Sequence, residues 1–471
     1  MTFAGVYVQD DYRVTSKLTL NLGLRWDLFT RPVDAFNRQS NFDPKTGLID
    51  IASGNNPGPN VNNYYGNWGP RVGLAYSPDG GKTAIRAAFG ISYFPDNFGA
   101  TGGTLERNFP FFTISQLITP TPFTPFRSVS DGLPAPINIP IAPGGTVTPP
   151  PGFGVFYVAK NFRQDEAQVW NFSIERQLPG DMMVSAAYVG THGVHLYRDL
   201  QLNEALPGPG PVDPRLPFFG IAPNIPTVDQ RNGDGYSHYN AGQFKFQKRT
   251  GMGLSFLASY TWSKTLDDIS HIVYPYSDNL NRAVSSGFTL VDVPQNLVLS
   301  YTYELPFGKG KRLLNNSSSL ISQVASGWTA SGISTFQSGP PLAVNVASSL
   351  LNNNGGANEA NIICQSVGQP KTVNQWFNTG CFADPAPYTF GNAGVGHIRA
   401  PGINNWDFSL AKVASLGSEH RQLKLEADVF NLFNTAHFGA PNTTLDTASF
   451  GAISSDRLPP RYIQLGAKFT F

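Results

Sequence analysis

Leu18 to Leu28 reads LTLNLGLRWDL, with an apolar residue at every second position. Leu18, Leu20, Leu22, Leu24, Trp26 and Leu28 share one face, and Thr19, Asn21, Gly23, Arg25 and Asp27 share the other. Side chains of an extended chain point alternately to opposite sides, so this is a strand with one apolar and one polar face. It is long for a strand of a globular protein, which typically has about 5–6 residues. A tilted strand that crosses a bilayer needs about 9–11.

The pattern recurs along the chain. Leu254, Phe256, Ala258, Tyr260 and Trp262 alternate with Ser255, Leu257, Ser259, Thr261 and Ser263, and Leu297, Leu299, Tyr301 and Tyr303 with Asn296, Val298, Ser300, Thr302 and Glu304. Trp170, Phe172 and Ile174 open another strand, and Leu423, Leu425, Ala427 and Val429 a further one. Weaker alternation marks 3–12, 68–77, 83–94, 183–196, 239–249, 327–339 and 404–416, and Ile463, Leu465, Ala467, Phe469 and Phe471 close the chain. Thirteen strands are predicted. Their connections alternate between short and long. The short ones are Arg13–Lys17, Pro78–Lys82, Pro179–Met182, Thr250–Gly253 and Gly417–Arg421, with Phe307–Ser326 a longer exception. The long ones, about 29–67, 95–166, 197–238, 269–292, 340–403 and 435–459, are rich in Pro, Gly and Asn. Short periplasmic turns and long external loops are the pattern of an outer-membrane barrel. The fold class expected is all-β, a transmembrane antiparallel β-barrel, and Trp26, Trp262, Tyr301 and Tyr303 near strand ends suit its aromatic girdles. A propeller would show a motif repeating every 40–50 residues or so, and none is present.

Composition agrees. Of 471 residues, 14% are charged, against roughly 25% in an ordinary soluble domain. Lys and Arg number 33 and Asp and Glu 32, a balance that excludes nucleic-acid binding through bulk positive charge. No apolar run approaches the roughly 18 residues of a membrane helix.

VYVQDDYRVTSKLTLNLGLRWD (6–27), SYTWSKTLDD (259–268), LVLSYTYELPFGKGKR (297–312), NNWDFSLAK (404–412) and DVFNLFNTAHF (428–438) together resemble the carboxy-terminal barrel of TonB-dependent transporters. The branch they are most similar to is the Oar-like one, whose members carry an amino-terminal carboxypeptidase-regulatory-like domain. The resemblance implies a barrel of about 22 strands around a plugged lumen. It also implies a TonB system and a plug domain as partners, with outer-membrane lipid around the barrel and an unidentified extracellular ligand above it. MTFAGVYVQDD (1–11) has no basic start or cleavage site, no plug sequence precedes Phe3, and thirteen is an odd count. Single-chain bacterial barrels have even numbers of strands. The expectation is therefore the last part of a barrel, with about nine strands and the plug missing from a total of about 22. The function expected is transport of a ligand across the outer membrane. The rivals are a passive porin-like channel and a surface adhesin anchored by its barrel.

Candidate chemistry is sparse. Cys364 and Cys381, the only cysteines, fall in one long loop, and an oxidising envelope favours a disulfide between them. His192 and His195 have metal-like spacing, but positions i and i+3 on a strand point to opposite faces. Asn232-Gly233-Asp234-Gly235 resembles part of a calcium loop without its later glutamate, and reads instead as a turn leading into the strand at 239. Gly81-Lys82-Thr83 resembles the end of a phosphate loop, but the required earlier glycine is Tyr76, so Asp79-Gly80-Gly81 reads as a hairpin turn. Arg25, Glu175, Lys245, Glu304, Lys424, Glu426 and Asp428 lie on the polar faces and are expected to line a wet lumen. The Pro-rich stretch 119–151 is expected to be extended and exposed. No catalytic set and no cofactor site is predicted, and an enzyme is not expected.

The last strand, RYIQLGAKFTF (461–471), ends on an aromatic residue. Burial alone would accept almost any large apolar side chain there. An amphipathic strand closed by Phe469 and a terminal Phe471 resembles the signal read by the barrel-assembly machinery. Deleting Phe471 from the full-length protein is expected to lower the outer-membrane fraction far more than synthesis. Phe469→Leu, which keeps the terminal ring, should insert normally; equal insertion of the two variants would leave Phe471 a packing role only.

Overall fold

The computed structural model describes residues 1–95, 102–112, 127–132, 144–251, 253–268, 287–288, 291–308, 311–315, 319–355, 358–415 and 421–471. Thirteen strands follow one another in a single antiparallel meander. They are β1 (Phe3–Arg13), β2 (Leu18–Phe29), β3 (Trp68–Tyr76), β4 (Thr83–Tyr93), β5 (Glu166–Leu178), β6 (Met182–Gln201) and β7 (Val228–Gly251), then β8 (Leu254–Asp267), β9 (Gln295–Glu304), β10 (Trp328–Gln337), β11 (Ile403–Ser415), β12 (Gln422–Phe430) and β13 (Tyr462–Thr470). Two short strands join this sheet at its upper rim, Val155–Val158 beside β7 and Gly287–Phe288 beside β8. The sheet does not close: among the described residues β1 pairs only with β2 and β13 only with β12, and every residue of both end strands is exposed.

Register carries the alternation from strand to strand. Val8 lies opposite Leu24 and Leu24 opposite Pro70, while on the other face Tyr7 lies opposite Arg25 and Arg25 opposite Gly69. Val6, Val8, Leu22, Leu24, Val72, Phe172, Ile174, Phe244, Trp262, Leu425, Ile463 and Leu465 are all exposed, and all fall on one side of the sheet by register. A side chain of this size contributes about 1.5–3 kcal/mol when moved from water into an apolar medium. That side is therefore the lipid side. Ile463, Leu465, Ala467 and Phe469 occupy it on β13, and Phe471 follows the strand with its ring stacked on Phe469 at 5.6 Å.

Turn chemistry sets the lower edge. Between β3 and β4, Gly80 and Gly81 hold φ of 68° and 93°, and the Asp79 carboxylate accepts from the Thr83 amide at 2.7 Å and hydroxyl at 2.8 Å. Gly81-Lys82-Thr83 is thus the end of a hairpin turn. The longer connection at 305–327 contains a helix, Ser319–Ala325, and the Lys412 ammonium donates to the carbonyls of Gln323, Val324 and Ser326 at its end. Cations are favoured at a helix carboxy-terminus.

Two strands differ from the sequence reading. β6 and β7 run to Gln201 and from Val228, so the connection expected at 197–238 shrinks to 202–227. Asn232-Gly233-Asp234-Gly235 is not a turn but part of β7, opposite Tyr197, Arg198 and Leu196. The register shifts at Leu196, where His195 sits at φ 56°, and a β-bulge of this kind disturbs alternation. Gly233 is required by a close approach: a Cβ there would stand 2.5 Å from the Arg163 carbonyl oxygen. The Pro-rich stretch 119–151 lies largely outside the described residues, as do most of 269–292 and 417–421; of its described end, Thr146–Val147 pairs with Ile49–Asp50, and Val147 is buried rather than exposed.

On the lipid side Trp170 of β5 lies opposite Gly190 of β6, and a Cβ at Gly190 would stand 2.2 Å from the indole. The ring covers the glycine. Gly190→Val is expected to destabilise the protein by about 1–3 kcal/mol, as overpacking does, read as a lower temperature for loss of the compact band in semi-native electrophoresis. Gly466→Ala, whose Cβ meets nothing closer than 3.9 Å, should leave that temperature unchanged.

Candidate functional site at the mouth of the barrel

Almost all buried apolar side chains lie in the long loops, not in the sheet. The connections 30–67, 94–165 and 202–227, with the first residue of β7, Val228, share one core, made of Phe42, Ile49, Ile51, Phe109, Val147, Val155, Ala222, Ile225 and Val228. A three-stranded sheet of Ser40–Asp43, Leu48–Ile51 and Thr146–Val147 frames it. The connections 338–402 and 431–461 share another, with Val344, Val346, Ala360, Phe377, Phe382, Ala393, Ile398 and Leu445. Cys364 and Cys381 are bonded within this second module, their Cα atoms 5.1 Å apart, and Cys381 is buried.

Asparagine side chains do the work of backbone in both modules. An amide offers one acceptor and two donors, and so copies a peptide unit. Asn41 donates to the carbonyls of Pro59 and Val158 and accepts from the Val158 amide at 2.9 Å. Asn108 donates to Ser40 and Phe156 and accepts from the Phe156 amide at 2.7 Å. Asn358 spans Thr389 and Gly391 at 3.0 Å each. Asn352, Asn353 and Asn354 then join the two modules. Asn352 donates to the carbonyls of Gly208 (2.7 Å) and Gly210 (2.8 Å), and Asn353 to Glu204 (3.0 Å). Asn354 donates to the carbonyls of Asn203 (2.7 Å) and Pro226 (3.0 Å) and accepts from the Ala205 amide (2.9 Å).

Charge pairs cross-link the strand tops at the rim, and one reaches the second module. Arg198, almost fully buried, lies 3.2 Å from the wholly buried Asp268 and 3.8 Å from Asp234. Arg231 pairs with Asp199, and Arg399 lies 2.7 Å from Asp292. Removing one partner of such a buried pair strands the other charge, typically at about 3–5 kcal/mol. Just before β5, burial pushes the Asp165 carboxyl up to about 6, against the opposing hydrogen bond from the Tyr197 amide.

Below the loops, the polar face of the sheet lines a concavity. Arg25 pairs with Asp27 at 2.8 Å, Arg86 with Glu175 at 2.7 Å, Lys424 with Glu426 at 2.7 Å and Glu304 with Lys311 at 2.9 Å. Lys245 and Asp428 share that face by register. A cavity of about 590 Å³ opens between β7 and β12, lined by Ser300, Thr302, Ser331, Asp407 and Asp428 together with Leu257 and Ile333. His192 is on the opposite, lipid-facing side with its ring stacked on His238 at 4.1 Å, apart from His195 at the bulge. Among the described residues no three His, Cys, Asp or Glu side chains converge as a metal site. The arrangement offers a hydrophilic lumen beneath a built, multi-loop surface. The three consecutive asparagines were visible as a run at 352–354, yet nothing in the run itself discloses what they hold.

No curated protein matches this sequence. Among solved structures, the outer membrane transporter YddB from Escherichia coli is similar at a TM-score of 0.52 and 10% identity, over 99% of this chain and 45% of that one. The ferripyoverdine receptor of the outer membrane of Pseudomonas aeruginosa is similar at 0.46 and 12%, over 100% and 38%, and the FrpB iron transporter from Neisseria meningitidis at 0.44 and 13%, over 99% and 44%. The chain spans less than half the length of each. Residues 1–464 match the model of the outer membrane beta barrel domain, and the chain belongs to that family of the bacterial outer membrane.

Proposed function

We propose that the chain is the carboxy-terminal portion of a TonB-dependent transporter barrel of the Oar-like branch, which takes up a ligand captured at its outer surface. The observation that carries this reading is the pair of packed loop modules, clamped together by Asn352–Asn354 over a polar lumen. Loops that bind are held by a rigid frame, and here the loops supply their own cores. The open edges of β1 and β13 support the rest: an unpaired strand edge in hydrocarbon is strongly unfavourable, so further strands complete the barrel. A barrel so widened needs a plug to stay sealed, and a plug is the part that a TonB system would engage. The fold shared with YddB, an outer membrane transporter, agrees. In this reading Phe469 and Phe471 are the assembly signal, the bond between Cys364 and Cys381 staples the second loop module, and the ligand meets the modules built from 94–165 and 338–402 first.

Two measurements test it. The whole protein, extracted from outer membranes and inserted into a planar bilayer, is expected to carry no steady current at rest; a persistent open conductance would make it a passive pore. Asn354→Ala removes three hydrogen bonds worth about 1 kcal/mol each. Loops 202–227 and 338–402 should then be cut by external protease at least tenfold faster on intact cells, with the barrel retained. Cleavage at the original rate would mean that the two modules do not form one surface.

A further inference from the structure

The lipid side of the sheet is not uniformly convex. Two cross-strand rows on β5–β8 enclose an apolar groove of about 520 Å³. Ile174, Ala186, Phe244 and Tyr260 are mutual partners in the upper row. The lower row runs Arg176, Val184, Phe246, Ala258. Small Ala186, Val184 and Ala258 form its floor, and the rings of Phe244, Phe246 and Tyr260 stand beside them. The groove begins only a few residues above the turn at Pro179–Asp181, so it lies in the periplasmic leaflet.

Its lower end is cationic. Arg176 binds Asp79 and the Thr83 hydroxyl through Nη1 alone, which leaves Nε and Nη2 for another acceptor. One row down, Lys248 lies on the same side and spends one donor on the Gly180 carbonyl at 3.2 Å. Guanidinium groups suit phosphate oxygens by geometry, and long basic side chains reach the headgroup level from apolar surroundings.

We propose that this groove seats one acyl chain of a phospholipid of the periplasmic leaflet, with its phosphodiester on Arg176 and Lys248. An apolar trough ending in two cations matches an amphiphile with an anionic head. A free phosphate would leave the trough empty, and a bare hydrocarbon would leave the cations unused.

The test uses the whole protein extracted from outer membranes and exchanged into micelles containing palmitoyl-oleoyl phosphatidylglycerol, with retained lipid counted by native mass spectrometry. The wild type is expected to hold one phosphatidylglycerol through delipidating washes. Ala258→Phe, which fills the groove, and the pair Arg176→Gln with Lys248→Gln should each lower retention at least tenfold, while Ile333→Phe on the opposite face should not. If Ala258→Phe fails to insert, the double rim variant decides alone, since both its residues lie at the rim. Equal retention by the wild type and the rim variant would overturn the assignment. So would cross-linking of a second copy through Phe246 in place of bound lipid.

Discussion

The hydrocarbon core of a membrane contains no water, so every backbone N–H and C=O within it must find a partner in the protein. All else in this chain follows from that requirement. It dictates an unbroken antiparallel ladder from β1 to β13, with each strand paired to its neighbours in sequence. It makes the lower turns short, because a strand that has just crossed pairs at once with the next. It also leaves side chains only one decision, lipid or lumen, and that decision repeats with a period of two residues. The exposed apolar residues on one side and the ion pairs Arg25–Asp27, Arg86–Glu175 and Lys424–Glu426 on the other are its result.

A sheet with lipid on one side and a wet lumen on the other has no interior, and so the hydrophobic core forms elsewhere. In this molecule it forms above the membrane, where Phe42, Ile49 and Val155 close one loop module and Val344, Phe377 and Ile398 another. Only in water does burying these groups yield the hydrophobic driving force. The bond between Cys364 and Cys381, which closes a separation of 17 residues, adds about 3 kcal/mol by restricting the unfolded loop. Among the described residues of the modules, Pro, Gly and Asn serve the turns from which the modules are built.

The strands were legible because the membrane imposes a strict alternation on them. Leu18–Leu28 could be read as a strand from its own residues, and so could the positions of all thirteen strands. The upper halves of β6 and β7 could not. Above the membrane both faces of that ribbon carry charges, Arg198 on one and Asp199 with its partner Arg231 on the other, and the bulge at His195 breaks the phase of the alternation. The candidate surface was less legible still. Asn41, Asn108 and Asn354 act on partners as many as 151 residues away, and composition alone does not separate such an anchor from a solvated turn residue.

The division of labour between amides and charges at the mouth has a physical reason. A buried Asn can bind a carbonyl and an amide together without carrying an ion out of water, so its desolvation is small beside that of a carboxylate or ammonium. It also has no proton to lose and no charge for salt to screen. The hydrogen bonds of Asn352 and Asn354 to backbone groups, and the anchors within each module, are therefore indifferent to the pH and ionic strength of the medium outside the cell. Charges are placed at the rim instead, where Arg198, Arg231 and Arg399 meet carboxylates at the tops of strands already fixed by the ladder. There the ladder holds the geometry that a buried ion pair needs. A surface that must keep its shape while its surroundings change is best joined by groups that those surroundings do not titrate.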